Sequence, residues 1–86
     1  MKMENDNHFS TTDLGLAAFL QVSGLRLVRL CWENARRASF VFEGRKEAER
    51  LRGLFFAGEA KVGPLAYKAV LDDLKRRLFR ERGDRQ

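Results

Sequence analysis

Arginine is the residue type in this sequence whose chemistry asks for a partner. Of the 17 basic side chains, 12 are arginine. A guanidinium is planar, always charged, and forks onto phosphate or carboxylate, or stacks on a flat ring. These residues fall in two groups: Arg26, Arg29, Arg36, Arg37, Arg45 and Arg52 in the middle of the chain, and Lys75, Arg76, Arg77, Arg80, Arg82 and Arg85 near its end. The formal charge of +5 is spread unevenly, about −2 over residues 1–13, +4 over 25–53, −1 over 54–73 and +4 over 74–86. Arg29 and Arg37 on one hairpin face, Arg36 at its tip, and the run Lys75, Arg76, Arg77, Arg80 and Arg82 are therefore the candidate phosphate contacts. The chemistry they suit is non-specific holding of a nucleic-acid backbone. The same surface would also suit an acidic protein, as in an adaptor or inhibitor. Against both stands local neutralisation: Arg37 can answer Glu33, and positive charge near a helix C-terminus complements the dipole without any partner.

No catalytic constellation accompanies the arginines. Asp72 and Asp73 are adjacent, but neighbouring helix positions diverge by about 100°, so their carboxylates do not converge. Pairs with Arg76 and Arg77, four residues on, are the expected use. Cys31 has no histidine base in reach, and His8 is the only histidine, which leaves no metal-ligand spacing and no internal disulfide. Gly53, Gly58 and Gly63 are too far apart to cradle a phosphate and read as breakers. A non-enzymatic protein without cofactor or metal is the expectation. The start of the chain is polar and acidic, and no apolar run approaches the roughly 20 residues of a membrane span, so a cytoplasmic location and no membrane partner are expected.

The elements that must position these side chains can be read from periodicity. Residues 1–10 show no apolar period and read as a flexible leader. Thr11 or Thr12 can cap a helix running to about residue 22, with Asp13 in its first turn, Leu16, Phe19 and Leu20 on one face, and Gly24 as its stop. Residues 25–33 and 37–43 read as a hairpin. A loop of Asn34, Ala35 and Arg36 places Val28, Leu30 and Trp32 on the same face as Ala38, Phe40 and Phe42. It also sets Glu33 opposite Arg37. A loop shorter by one residue would bury Arg29, at a cost on the order of several kcal/mol.

Gly44 ends the hairpin, and residues 45–57 form an amphipathic helix through Ala48, Leu51 and Phe55, with Glu47–Arg50 and Glu49–Arg52 as surface pairs. Residues 60–62 suggest a short extended segment at the hairpin edge. Gly63 and Pro64 open the last helix, whose stripe is Tyr67, Val70, Leu71, Leu74 and Leu78. It is expected to reach about residue 81, before a basic tail over 82–86. Phe56 and Phe79 fit their stripes poorly, which suits a rim position or a homodimer contact. One α+β domain over 11–81 results, a two-layer domain in the order helix-strand-strand-helix-helix, with helices covering an antiparallel hairpin.

The segments Thr12-Asp13-Leu14-Gly15-Leu16-Ala17-Ala18-Phe19-Leu20, Ser23-Gly24-Leu25-Arg26-Leu27-Val28, Phe40-Val41-Phe42-Glu43, Glu47-Ala48-Glu49-Arg50-Leu51 and Gly58-Glu59-Ala60 together resemble a family of short phage and bacterial domains classed as a domain of unknown function. The resemblance spans roughly residues 9–80. It implies a fold more than a chemistry, carries over no catalytic residues, and points to an accessory protein of a mobile element or its host. The family pattern commonly opens its middle helix with a turn residue and proline, where this chain has Gly44-Arg45-Lys46.

Overall fold

The computed structural model describes residues 7–84. In chain order they form β1 (His8–Thr11), α1 (Leu14–Val22), β2 (Leu27–Trp32), β3 (Ala38–Glu43), α2 (Arg45–Phe56) and α3 (Pro64–Asp84). This is an α+β fold with one more strand than the sequence suggested, and the antiparallel sheet runs β1-β3-β2 with β3 in the centre.

Alternation along β3 sends Ala38, Phe40 and Phe42 to the helix side, and all three are buried. The hairpin register is the expected one at its tip: Trp32 faces Ala38, Cys31 faces Ser39, Leu30 faces Phe40 and Arg29 faces Val41. The Glu33 N–H closes the turn by donating to the Arg37 carbonyl at 2.9 Å. Further down, the expectation is corrected. A β-bulge at Val28 sets Leu27, rather than Val28, opposite Phe42. The extra residue re-aims the chain so that Leu27 packs against the core. On the outer face Val41 is also buried, flanked in register by Ser10 and Arg29.

The leader expectation fails over residues 8–10, because β1 pairs antiparallel with β3, Phe9 facing Phe42 and Thr11 facing Phe40. Four residues with one large apolar side chain carry no local strand signal, so this strand is created by the free edge of β3. It has a second role. The Asn7 carbonyl accepts from the Gly44 N–H at 2.9 Å, and Asn7 Oδ1 accepts from the Arg45 N–H at 3.3 Å. Gly44 stands at the start of α2 with φ +98° and no side chain to cap it, so Asn7 serves one of the otherwise orphaned N–H groups from across the sheet. The rest of the expected leader, residues 1–6, and residues 85–86 of the expected tail lie outside the described residues.

Asp13, not Thr11 or Thr12, caps α1: its carboxylate accepts from the Leu16 N–H at 3.0 Å, while Thr11 Oγ1 accepts from the Asp13 N–H at 3.0 Å. Five successive residues of α1, Leu16 to Leu20, are buried. That happens because the helix is enclosed by α2, α3 and β1 together. Phe19 stacks on Phe55 of α2 with 5.6 Å between ring centroids. On α3, Leu74 is buried, and Tyr67, Val70, Leu71 and Leu78 pack against the same core. The Tyr67 hydroxyl donates to the Gly15 carbonyl at 3.1 Å, an approach that a glycine permits, since a Cβ at that position would lie 3.3 Å from the same oxygen. Residues 60–62 form no strand, although Ala60 and Val62 pack against the core. The last helix runs to Asp84, three residues past its expected end.

Because β1 protects the β3 edge and Phe9 packs on the core, Phe9→Ala should cost about 2 kcal/mol. Urea unfolding should show a lower midpoint with an unchanged slope. A midpoint equal to that of the unaltered chain would mean the segment is a detached leader after all.

Candidate functional site

The hairpin tip and the end of α3 meet, and Trp32 makes the joint. Its indole N–H donates to Glu81 Oε1 at 3.2 Å, and the other oxygen of the same carboxylate accepts from Arg77 Nε at 3.1 Å. Glu81 is therefore held from two elements, about one third exposed. Burial pushes its carboxyl upward, but the hydrogen bonds from Trp32 and Arg77, with the charges of Arg77 and Arg80, outweigh this and hold it below the ordinary glutamate value. At the next residue, Arg82 Nη2 donates to the Arg36 carbonyl at 3.3 Å. The tip itself is shaped by Asn34, whose Oδ1 accepts from the Arg36 N–H at 2.8 Å.

This joint opens a cleft of about 510 Å³ beside α3, rimmed by Thr12, Arg36, Arg37 and Arg82 above an apolar floor that includes Phe40 and Leu78. Arg37 Nε lies 3.6 Å from Glu33, the expected cross-strand pair, and its Nη2 donates to Thr12 Oγ1 at 3.4 Å. Arg82 Nε itself is buried and has no acceptor. Lys75 lies beside Arg82 on the same side of the helix.

The remaining candidates are placed elsewhere. Arg76, Arg77 and Arg80 line a second cleft, of about 470 Å³, on the opposite flank of α3, where they meet Arg26 and Asp73. Most of this charge is already answered: Arg26 pairs with Glu43 at 3.2 Å, Arg76 with Asp73, and Arg77 with Glu81. Among the described residues Arg80 has no carboxylate within the 4.0 Å of an ion pair. Arg29 stands exposed on the outer face of the sheet beside Cys31 and is brought to neither cleft.

Arg26 was not among the candidates. It precedes β2, and only the packing of α3 against that strand's start reveals its position. The surface pairs are also re-partnered. Asp72 takes Lys68 at 2.9 Å and Asp73 takes Arg76, in place of the expected Arg76 and Arg77. Glu49 takes Arg45 rather than Arg52, and only Glu47–Arg50 stands as read. Exposed, solvent-screened pairs of this kind contribute little, so local rotamer geometry decides between nearly equal partners.

The described residues form a small helix-covered sheet that presents cations, and among them no three His, Cys, Asp or Glu side chains gather as metal ligands would. No helix among them is long and apolar enough to cross a membrane. The chain belongs to the family described as Domain of unknown function (DUF5659), whose pattern matches residues 6–79. The match takes in β1, which the resemblance read from the sequence began inside, and stops short of Arg80 and Arg82. No curated protein and no solved structure matches the chain.

The Trp32–Glu81 bond gives a readout. A carboxyl held low in the folded state adds stability that is present above the unfolded value, and that stability is lost as pH falls through the folded value. Trp32 fluorescence should therefore titrate with a midpoint below 4.5, the ordinary glutamate value, and Glu81→Gln should abolish that transition. Persistence of the transition in the variant would assign it to another carboxylate.

Proposed function

We propose that this protein is a non-enzymatic nucleic-acid-associated module that holds backbone phosphates in the cleft between the hairpin tip and the end of α3. The observation that carries the reading is the convergence on one open cleft of Arg36 and Arg37 from the hairpin tip and Arg82 from α3, two elements that local sequence does not connect. A phosphate offers several acceptor oxygens, and a guanidinium fork matches two of them at once. Among the described residues Arg82 has no carboxylate within the 4.0 Å of an ion pair. The Arg37–Glu33 pair is more than half exposed at both ends, so a phosphate can replace the carboxylate at little cost. Lys75 and Arg80, neither in an ion pair among the described residues, extend the positive surface around α3, which suits a partner that is a polyanion rather than a single ion. The open sheet face, where Arg29 stands exposed beside Cys31 and lines neither cleft, is less favourable to such a partner.

The test is fluorescence anisotropy of labelled DNA and RNA over a salt series. Each phosphate contact contributes about 0.7–0.9 to the slope of log affinity against log salt. The double substitution Arg36→Gln with Arg82→Gln should weaken binding and flatten that slope by about 2, whereas Arg29→Gln should leave both unchanged. An equal effect of Arg29→Gln would move the interface to the sheet. Absence of binding even at low salt would remove the nucleic-acid reading, leaving the arginines to an acidic protein partner.

A further inference from the structure

We infer that Phe79 is a platform for stacking bases, so that the nucleic acid taken by this surface is single-stranded; the inference rests on the phosphate-binding reading above. Phe79 is 75% exposed, although it sits on the helix that carries the candidate contacts. One turn before it is Lys75 and nearly one turn after it is Arg82, and these residues with Leu78 form a small cleft of about 170 Å³ against the ring. Arg76 and Arg80 lie on its other side. Among the described residues Lys75, Arg80 and Arg82 form no ion pair within 4.0 Å. An open aromatic face is thus flanked by Lys75, Arg80 and Arg82, which local carboxylates do not occupy, and by Arg76, which pairs with Asp73.

Phe56 supplies the contrast. It is also exposed, at 59%, but the Arg52 guanidinium lies over its ring at 5.4 Å, and Phe55 meets it edge-on at 5.2 Å between centroids. Among the described residues no ring or guanidinium contact is made by Phe79. A positive surface that tracks the backbone, with an aromatic ring for the bases, is the arrangement that binds single strands with little sequence preference. A duplex keeps its base faces stacked inside and offers that ring nothing comparable. A membrane surface fits less well, because an interfacial helix needs a continuous apolar stripe. On this face of α3 the next exposed apolar residue is Leu65, and the Lys68–Asp72 ion pair lies between the two.

Anisotropy with a labelled oligothymidine of roughly 12 nucleotides, set against a duplex of the same length, tests this at about 50 mM salt. The unaltered protein should prefer the single strand. Phe79→Ala should weaken single-strand binding about tenfold, with the salt slope unchanged, and Phe79→Trp should restore it. Since the ring packs on little, urea unfolding of both variants should match the parent. Single-strand binding that is indifferent to Phe79→Ala, yet weakened by the Arg36 and Arg82 substitutions, would overturn the stacking role and leave the phosphate reading standing. Preference for the duplex would overturn it as well. Binding to neither nucleic acid would overturn both readings. Phe79-dependent binding to phosphatidylserine vesicles in that last case would reassign the surface to a membrane.

Discussion

The fold depends on covering one face of β3 and pairing both of its edges. Phe40 and Phe42 are almost wholly buried, and two such rings supply a large share of the apolar area that an 86-residue chain can remove from water. A hairpin alone leaves that face open and one edge of β3 unpaired. Leu16, Phe19 and Leu20 of α1 complete the core over the face, and β1 closes the edge. Once both are in place, α1 must be enclosed in turn, since its five successive buried residues leave no polar side for solvent. The positions of α2 and α3 follow from that second requirement.

The candidate site is a consequence of the same packing. Leu74 and Leu78 anchor α3 to the core, and the Trp32–Glu81–Arg77 contact fixes where its last turns lie relative to the hairpin. Glu81 is the one carboxylate in this region held from two elements at once. Its negative charge also tempers the arginines around it, so that several cations can share one helix without strong mutual repulsion. Among the described residues Arg36 and Arg82, neither in an ion pair, meet where the tip of the hairpin joins the helix, whereas Arg80 lies on the other flank and Arg29 stands apart on the outer face of the sheet. Function, on this account, resides in a seam between two elements rather than in either of them.

Much of this architecture was legible before any coordinates. Strict alternation through Leu30, Trp32, Phe40 and Phe42 dictated the register of the hairpin tip, because a shift by one residue would have buried Arg29. Gly63 and Pro64 marked the start of α3, and Gly24, Gly44 and Gly58 all adopt the positive φ expected of breakers, whereas Gly53, read as a breaker too, lies inside α2. What escaped was set by distant parts of the chain. The strand β1 has almost no signal of its own and exists through β3. The bulge at Val28 trades one apolar side chain for another, which a hydrophobic pattern does not register. Asp13 rather than a threonine is the cap because β1 runs to Thr11 and α1 starts only at Leu14. For the site, residue type was legible and grouping was not: Arg36, Arg37 and Arg82 share a cleft, Arg76, Arg77 and Arg80 face the other flank with Arg26, and Arg29 stands apart. That partition depends on how α3 crosses the sheet, which no local pattern states.

The most direct measurement is a set of amide and guanidinium proton–nitrogen correlation spectra recorded while a short oligonucleotide is titrated into the labelled protein. The account requires the largest shifts at the side chains of Arg36, Arg37 and Arg82 and at the backbone amides of the hairpin tip, with little change on the outer face of the sheet. Saturating binding whose shifts centre on Arg29, Cys31 and Ser39 would contradict it, since the seam between hairpin and helix would then not be the surface that binds.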